Sequence, residues 1–322
     1  MRASPSVRGG RTTLPELRVV LLHVLRRHHV GAGVDVDRPD AVLDLLVHHH
    51  HRVEALEVRV LAETERHGHR VAFNKAFAQE GYPYSWSDEL YRELVKTTGG
   101  DRRIARYLNE YENYDLEEAR EVAKKLHPIK TQLFVDTILA GEIPGRAGVY
   151  RFIKSIQEAG FRTAVATTGT NNWVHPLVKH LSNDGGFAPF EVVVTGNDVE
   201  NLKPAPDLFQ EALRRLGLEP DQVVMVEDSK NGVRSAKATG GPCLAVRGEY
   251  ASIESLEGAD LVVDSYGDEG APLTVLSNPH GLEVGEMLTP ELVEELHRRW
   301  QQREGLPLKN ERHPGHAHRD HP

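Results

Sequence analysis

The sequence predicts an α/β fold, a Rossmann-like parallel sheet core with helices on both faces plus an inserted all-helical segment. Three observations carry this expectation. Short apolar runs of strand length alternate with amphipathic helices from Phe152 to Val263, the pattern of a parallel sheet covered on both sides. Residues 62–143 show helical periodicity alone. Three of the apolar runs stop abruptly at polar residues, and in such sheets function sits beyond the carboxyl ends of the strands.

Taken in order, Ala62–Phe77 brings Val71, Ala72, Phe73, Ala76 and Phe77 to adjoining helical positions. Ser87 is an N-cap, with Trp86 before it and Tyr91 placed for a hydrophobic staple, and Gly99-Gly100 closes that helix. Ile104–Leu108, Leu116–Leu126 and Ile129–Leu139 are three further helices. The alternating part then begins: helix Phe152–Ala159, strand Thr163–Ala166, helix Val174–Leu181, strand Val192–Val194 and helix Pro206–Leu216. Strand Val223–Val226, helix Gly232–Ala238 and strands Leu244–Val246 and Leu261–Val263 complete it. Thr289-Pro290 opens a last helix with Leu292, Val293, Leu296 and Trp300 on one face, which either packs on the core or forms an oligomer contact.

Composition bounds the function classes. The 322 residues are 39% hydrophobic and carry a net charge of −9, which argues against general nucleic-acid affinity. Neither a membrane span of about 18 apolar residues nor a disulfide framework is present, since Cys243 is the single cysteine. A cytoplasmic location is the expectation, with organelle targeting by the Arg-rich N-terminal segment as the lesser alternative. Residues 1–72, however, contain no Lys, Asn, Gln, Ile, Phe, Tyr, Trp or Cys, and His48–His51 form a run. The expected organisation is a disordered or mis-translated leader over 1–60, a helical cap over 61–143, a core over 144–270, an extension with one helix over 271–308, and a disordered tail over 309–322.

The strand ends hold the candidate chemistry. Thr167 and Thr168 follow the first apolar strand and can offer hydroxyl and backbone donors to a phosphate oxygen, or simply make a turn. Lys203, ahead of Pro204 and Pro206, is a restrained ammonium able to offset negative charge, or a solvated helix entry. Glu227 and Asp228 end a buried strand, where two carboxylates call for a cation such as Mg²⁺, or serve as a cap and an exposed acid.

Thr, then Lys-Pro-x-Pro-Asp, then Glu-Asp-Ser-x-x-Gly at these positions resembles the haloacid dehalogenase superfamily of phosphatases, over about residues 60–265. Glu63–Asn74 and Thr98–Ile104 resemble its CbbY-like branch, which includes sugar-bisphosphate phosphatases acting on xylulose 1,5-bisphosphate. The resemblance implies a Mg²⁺ cofactor held by Glu227 and Asp228, with Thr167 and Lys203 catalytic. It also implies a small phosphorylated sugar as substrate, contacted by Gly100, Arg103 and Thr168. Asp101 stands where the branch usually carries Lys, which leaves two-phosphate specificity open.

One motif is missing. The resemblance calls for Asp-x-Asp-Gly at the end of the first strand, the first Asp as nucleophile and metal ligand, the second as general acid/base. Counting back without gaps from Val60 places Leu56 and Val58 at the two Asp positions and Arg59 at the Gly. Glu57 falls off register, and Asp35-Val36-Asp37 is followed by Arg38-Pro39 and lies far upstream. No nucleophile is found. The expected function is therefore a phosphatase of small phosphorylated sugars by lineage, inactive as written. The alternatives are a non-catalytic phospholigand-binding protein and, more weakly, a phosphomutase, which needs the same Asp pair.

Overall fold

The computed structural model describes residues 53–97 and 99–306. The expected leader up to residue 52, with the Asp35 and Asp37 pair and the His48–His51 run, lies outside these residues, as does the 309–322 tail.

The sheet begins earlier than composition implies. Val53–Leu56, assigned to the leader by the composition break, forms β1. It lies between β2, Arg162–Ala166, and β4, Val223–Glu227, parallel to both, with Leu56 level with Val165 and Val226. A strand hydrogen-bonded on both sides and packed on both faces needs only four residues, too few to stand out in composition. The other strands are β3 (Val192–Val194), β5 (Cys243–Val246), β6 (Leu261–Val263) and β7 (Val275–Ser277). The order is β3-β2-β1-β4-β5-β6-β7, and β7 alone is antiparallel. This last strand lies in the extension where a single helix was expected, because three half-exposed residues leave little periodicity to read.

A single helical turn, Val58–Leu61, and a wider-wound segment, Thr64–His69, lead from β1 into the helical insertion. That insertion comprises α1 (Arg70–Gln79), α2 (Asp88–Leu94), α3 (Gly100–Tyr111) and α4 (Leu116–Leu139). Its own core is aromatic: Phe73, Phe77, Trp86, Tyr91 and Tyr107 are buried with Leu94, Leu108 and Leu126. Ser87 caps α2 by accepting from the Leu90 amide, and the Trp86 and Tyr91 rings lie 6.1 Å apart, as the staple reading requires. The two helices expected on either side of Pro128 are one. Leu126 is anchored in the aromatic core while Phe134 and Ile138 are anchored against the sheet, so tertiary packing holds α4 through its proline.

The remaining helices cover the sheet: α5 (Val149–Glu158), α6 (Asn171–Gly185), α7 (Asp207–Leu216), α8 (Lys230–Thr239) and α9 (Pro290–Arg303). One face buries Phe152, Ile153, Leu177 and Leu181; the other buries Leu208, Phe209, Val233 and Ala236. Of the two roles open to α9, it takes the first, because Leu292, Val293 and Leu296 join the core of the first face. Among the described residues no helix is long and apolar enough to cross a membrane.

Candidate functional site

Parallel register brings three strand ends to one level. With Leu56 opposite both Val165 and Val226, the residues that follow are Glu57 on β1, Ala166 and Thr167 on β2, and Glu227 on β4. The Thr167 hydroxyl donates to Glu57 Oε1 at 2.6 Å. The Lys203 ammonium donates to Glu57 Oε2, to Glu227 Oε1 at 2.5 Å and to the Ala166 carbonyl at 2.8 Å. All three of its protons are thereby used, and Glu57, Thr167, Lys203 and Glu227 are all buried. Burial pushes the Glu57 carboxyl up, but the charges of Lys203 and Arg59 outweigh it and hold it below its ordinary value. Burial dominates at Glu227, which is pushed up to about 7.

Glu57 is therefore not the off-register side chain that ungapped counting makes it. Alternation at the end of the strand puts Glu57 on the side opposite Leu56, and there its carboxylate meets Thr167 and Lys203. A carboxylate does occupy the end of the first strand, one methylene longer than aspartate.

Beside it, Glu227 and Asp228 are brought together as expected, each already facing a cation. Glu227 Oε2 accepts from the Asp228 amide at 3.2 Å, and its carboxylate lies against the bare α-carbon of Gly232, where a Cβ would come within 1.7 Å. Asp228 Oδ1 has no hydrogen-bond partner but lies 3.5 Å from Arg59 Nη2, which also donates to Ser229 Oγ at 3.1 Å. The second Arg59 terminal nitrogen is 4.0 Å from Glu65. Asp228, then Glu57, Glu65 and Glu227, raise the proton affinity of this guanidinium against the opposing effect of burial.

A cavity of about 280 Å³ opens above this layer, between the strand ends and the helical insertion. Glu57, Arg59, Thr168, Gly169 and Thr170 line it from the sheet, and Gly100, Arg103, His127 and Lys130 from the helices. Gly100 is bare for a steric reason, since a Cβ there would meet the His127 ring at 2.6 Å. Arg103 is fixed by donation to the Tyr91 hydroxyl at 2.5 Å, by the Thr97 carbonyl and by Glu65 at 3.8 Å. Lys130 lies 2.8 Å from His69 Nδ1 and stands over the Phe73 and Phe134 rings. Burial brings its ammonium down to about 7. Burial also raises Glu65, but His69, Arg103, Arg59 and the Tyr91 hydroxyl outweigh it and hold the carboxyl at about 2.

Of the sequence-predicted residues, Gly100, Arg103 and Thr168 thus face one cavity. Thr167, Lys203 and Glu227 form a buried network beneath it. Glu65, His69, Lys130 and Trp173 also line the cavity and were not singled out. Glu65 and His69 sit inside the motif that carried the resemblance, whereas Lys130 and Trp173 lie in ordinary helical sequence with no local signal.

A family profile described as haloacid dehalogenase-like hydrolase matches residues 59–246. The chain belongs to that family. It is 40% identical to Protein CbbY of Cereibacter sphaeroides over 210 residues, covering 65% of this chain and 90% of that protein. It is 34% identical to the CBBY-like protein of Arabidopsis thaliana, covering 65% and 67% of the two chains. The crystal structure of CbbY from Rhodobacter sphaeroides in complex with phosphate shares 37% identity, with a TM-score of 0.53 over 67% of this chain and 94% of that one. A mutant of that protein in complex with xylulose-(1,5)bisphosphate has a TM-score of 0.52 at 37% identity, covering 66% and 93%. By family, then, the chain is a hydrolase of the phosphatase kind with a Rossmann-like core.

Hydrolases of this superfamily generally use Mg²⁺, and Glu227 and Asp228 would be the residues to face it here. The donor set does not fit. A magnesium ion needs several oxygens free of other cations at close range. Glu227 is hydrogen-bonded to Lys203, Asp228 is opposed by Arg59, and Glu57 is engaged by Lys203 and Thr167. Among the described residues no group of three or more His, Cys, Asp or Glu side chains is arranged to hold a metal.

Proposed function

We propose that this chain is a sugar-phosphate phosphatase by descent that binds the phosphoryl group of a small phosphorylated sugar in the 280 Å³ cavity without hydrolysing it efficiently. The helical insertion acts as a cap, and the phosphoryl group meets Thr168 and the Gly169 and Thr170 loop on the core side. Arg103 and Lys130 meet the sugar or a distal anion on the cap side. A guanidinium anchored as Arg103 is keeps donors in a fixed plane, which suits a phosphate oxygen pair. The relatives crystallised with phosphate and with xylulose-(1,5)bisphosphate support this substrate class.

The observation that carries the loss of turnover is the engagement of Glu57. Its two oxygens are held by Thr167 and Lys203, and the Val58–Leu61 turn that follows contains no carboxylate to act as acid and base. Without a positioned proton donor and with a longer nucleophile arm, in-line attack loses the alignment on which most of the rate depends. Magnesium dependence, expected from the resemblance, belongs to the lineage, and this donor set does not support it.

The test is phosphate release from xylulose 1,5-bisphosphate and from a generic aryl phosphate, with Mg²⁺ present, beside calorimetric binding of the same sugar phosphate. Saturable binding with no release above the buffer rate is expected. Turnover that disappears in Asp228→Ala would refute the reading.

A further inference from the structure

Arg59 stands where a glycine would be expected from the resemblance, and its side chain does something a glycine could not. It leaves the turn after β1 and enters the space between Asp228 and Glu65. Asp228 Oδ1, buried and without a hydrogen bond, faces Arg59 Nη2. Gly248 leaves room for this carboxylate, since a Cβ there would come within 2.8 Å of Asp228 Oδ2. Lys203 meanwhile neutralises Glu57 and Glu227 together. Each of these four carboxylates thus faces a cation of the chain itself, and the Arg59 side chain, one-third exposed, lines the cavity.

We infer that the Arg59 guanidinium is this chain's built-in replacement for the divalent cation, so that a phosphate ester binds on Arg59 and needs no metal. The inference rests on the reading above, that a phosphoryl group enters this cavity. Chemically the exchange is coherent. A divalent ion bridges carboxylates to phosphate oxygens with two charges and a demanding oxygen shell. A guanidinium bridges the same partners with one charge and five directed donors. Both terminal nitrogens have partners at Ser229, Asp228 and Glu65, yet only one hydrogen bond, to Ser229, is made, so donors are left for a ligand in the cavity that Arg59 lines. With Arg59 in place, a cation approaching Asp228 meets a fixed positive charge 3.5 Å behind its would-be ligand.

Two titrations on the full-length protein test this. The first is calorimetry with Mg²⁺ itself, chosen because the His48–His51 run would capture softer ions. Wild type is expected to show no saturable magnesium binding, and Arg59→Ala to gain it, by at least about tenfold over any residual wild-type signal. Should Arg59→Ala fail to fold, Arg59→Met keeps the apolar stem and serves in its place; Arg59→Lys keeps a cation and is expected to stay blind to magnesium. The second titration is inorganic phosphate with and without chelator, followed by the fluorescence of Trp173, which lines the cavity. Phosphate affinity in wild type is expected to be the same in chelator and in millimolar Mg²⁺, and to fall several-fold in Arg59→Lys. Magnesium binding by wild type equal to that of the neutral variant, or phosphate binding that appears only with magnesium, would overturn the inference. Absence of phosphate binding under both conditions would instead bring down the reading of the cavity, while the magnesium isotherms still decide the role of Arg59.

Discussion

Glu54 offers the sharpest test of how the sheet is built. It lies at the centre of β1, level with Thr163 on β2 and Val224 on β4, on the same side of the pleat as Leu56. Its side chain is 0% exposed, and neither carboxylate oxygen has a hydrogen-bond partner. Burial alone pushes its carboxyl from 4.5 up to about 8. The folded protein therefore keeps a proton that the unfolded chain has already released, and the sign follows from that difference. Stability contributed by this position is highest at or below pH 4.5, falls as pH rises toward 8, and is constant above. At about 1.4 kcal/mol per decade of proton affinity, the full loss is about 5 kcal/mol. That is comparable with the whole stability of many domains.

Glu54→Leu removes the titration and keeps a side chain of similar size. Urea unfolding followed by circular dichroism, at a series of pH values, isolates the effect, because every other ionisable group is common to both proteins. The variant should be more stable throughout, and its advantage should widen by about 5 kcal/mol across the window from 4.5 to 8. An advantage that stays flat with pH would refute the reasoning. It would mean that Glu54 is not held protonated inside the sheet and that the placement of Val53–Leu56 as an interior strand between β2 and β4 is wrong.

Lys203→Met should cost about 3–5 kcal/mol in the same unfolding assay, because it strands Glu57 and Glu227 as buried charges without their shared cation; a cost below about 1 kcal/mol would contradict the network described. Lys130, with an ammonium brought down to about 7, should add its charge to the cavity only below that pH. Sugar-phosphate affinity of wild type, compared with Lys130→Arg, should therefore fall as pH rises through 7, while the arginine variant, charged throughout, reports the titration of the ligand alone. Parallel curves for the two proteins would remove Lys130 from the anion site.

Several parts of this protein are determined locally, and the sequence by itself determined them. The alternation of strands and helices from Phe152 to Val263 follows from short apolar runs and segments of period 3.6, each of which carries its own signal. The caps at Ser87 and Thr289 depend on a side chain and an amide three residues away. The ends of the strands, where Thr167, Lys203, Glu227 and Asp228 gather, were legible because parallel sheets deliver their loops to one edge. Residues whose role depends on distant partners were not. Lys130 and Trp173 reach the cavity only because α4 and α6 pack against each other there.

The tertiary structure alone decided the fate of residues 53–60. Their composition matches the segment before them, so no local property separates strand from leader. Pairing with β2 and β4 makes Val53–Leu56 a strand, at whose end Glu57 meets Lys203, while Arg59 in the turn that follows faces Asp228. The missing Asp-x-Asp-Gly could be read as an absence in the sequence. That a glutamate and an arginine stand in the resulting space, one engaged by Thr167 and Lys203 and the other opposing Asp228, could be read only from the fold. Charge balance in a buried site depends on all the strands that meet there, and no single stretch of chain contains it.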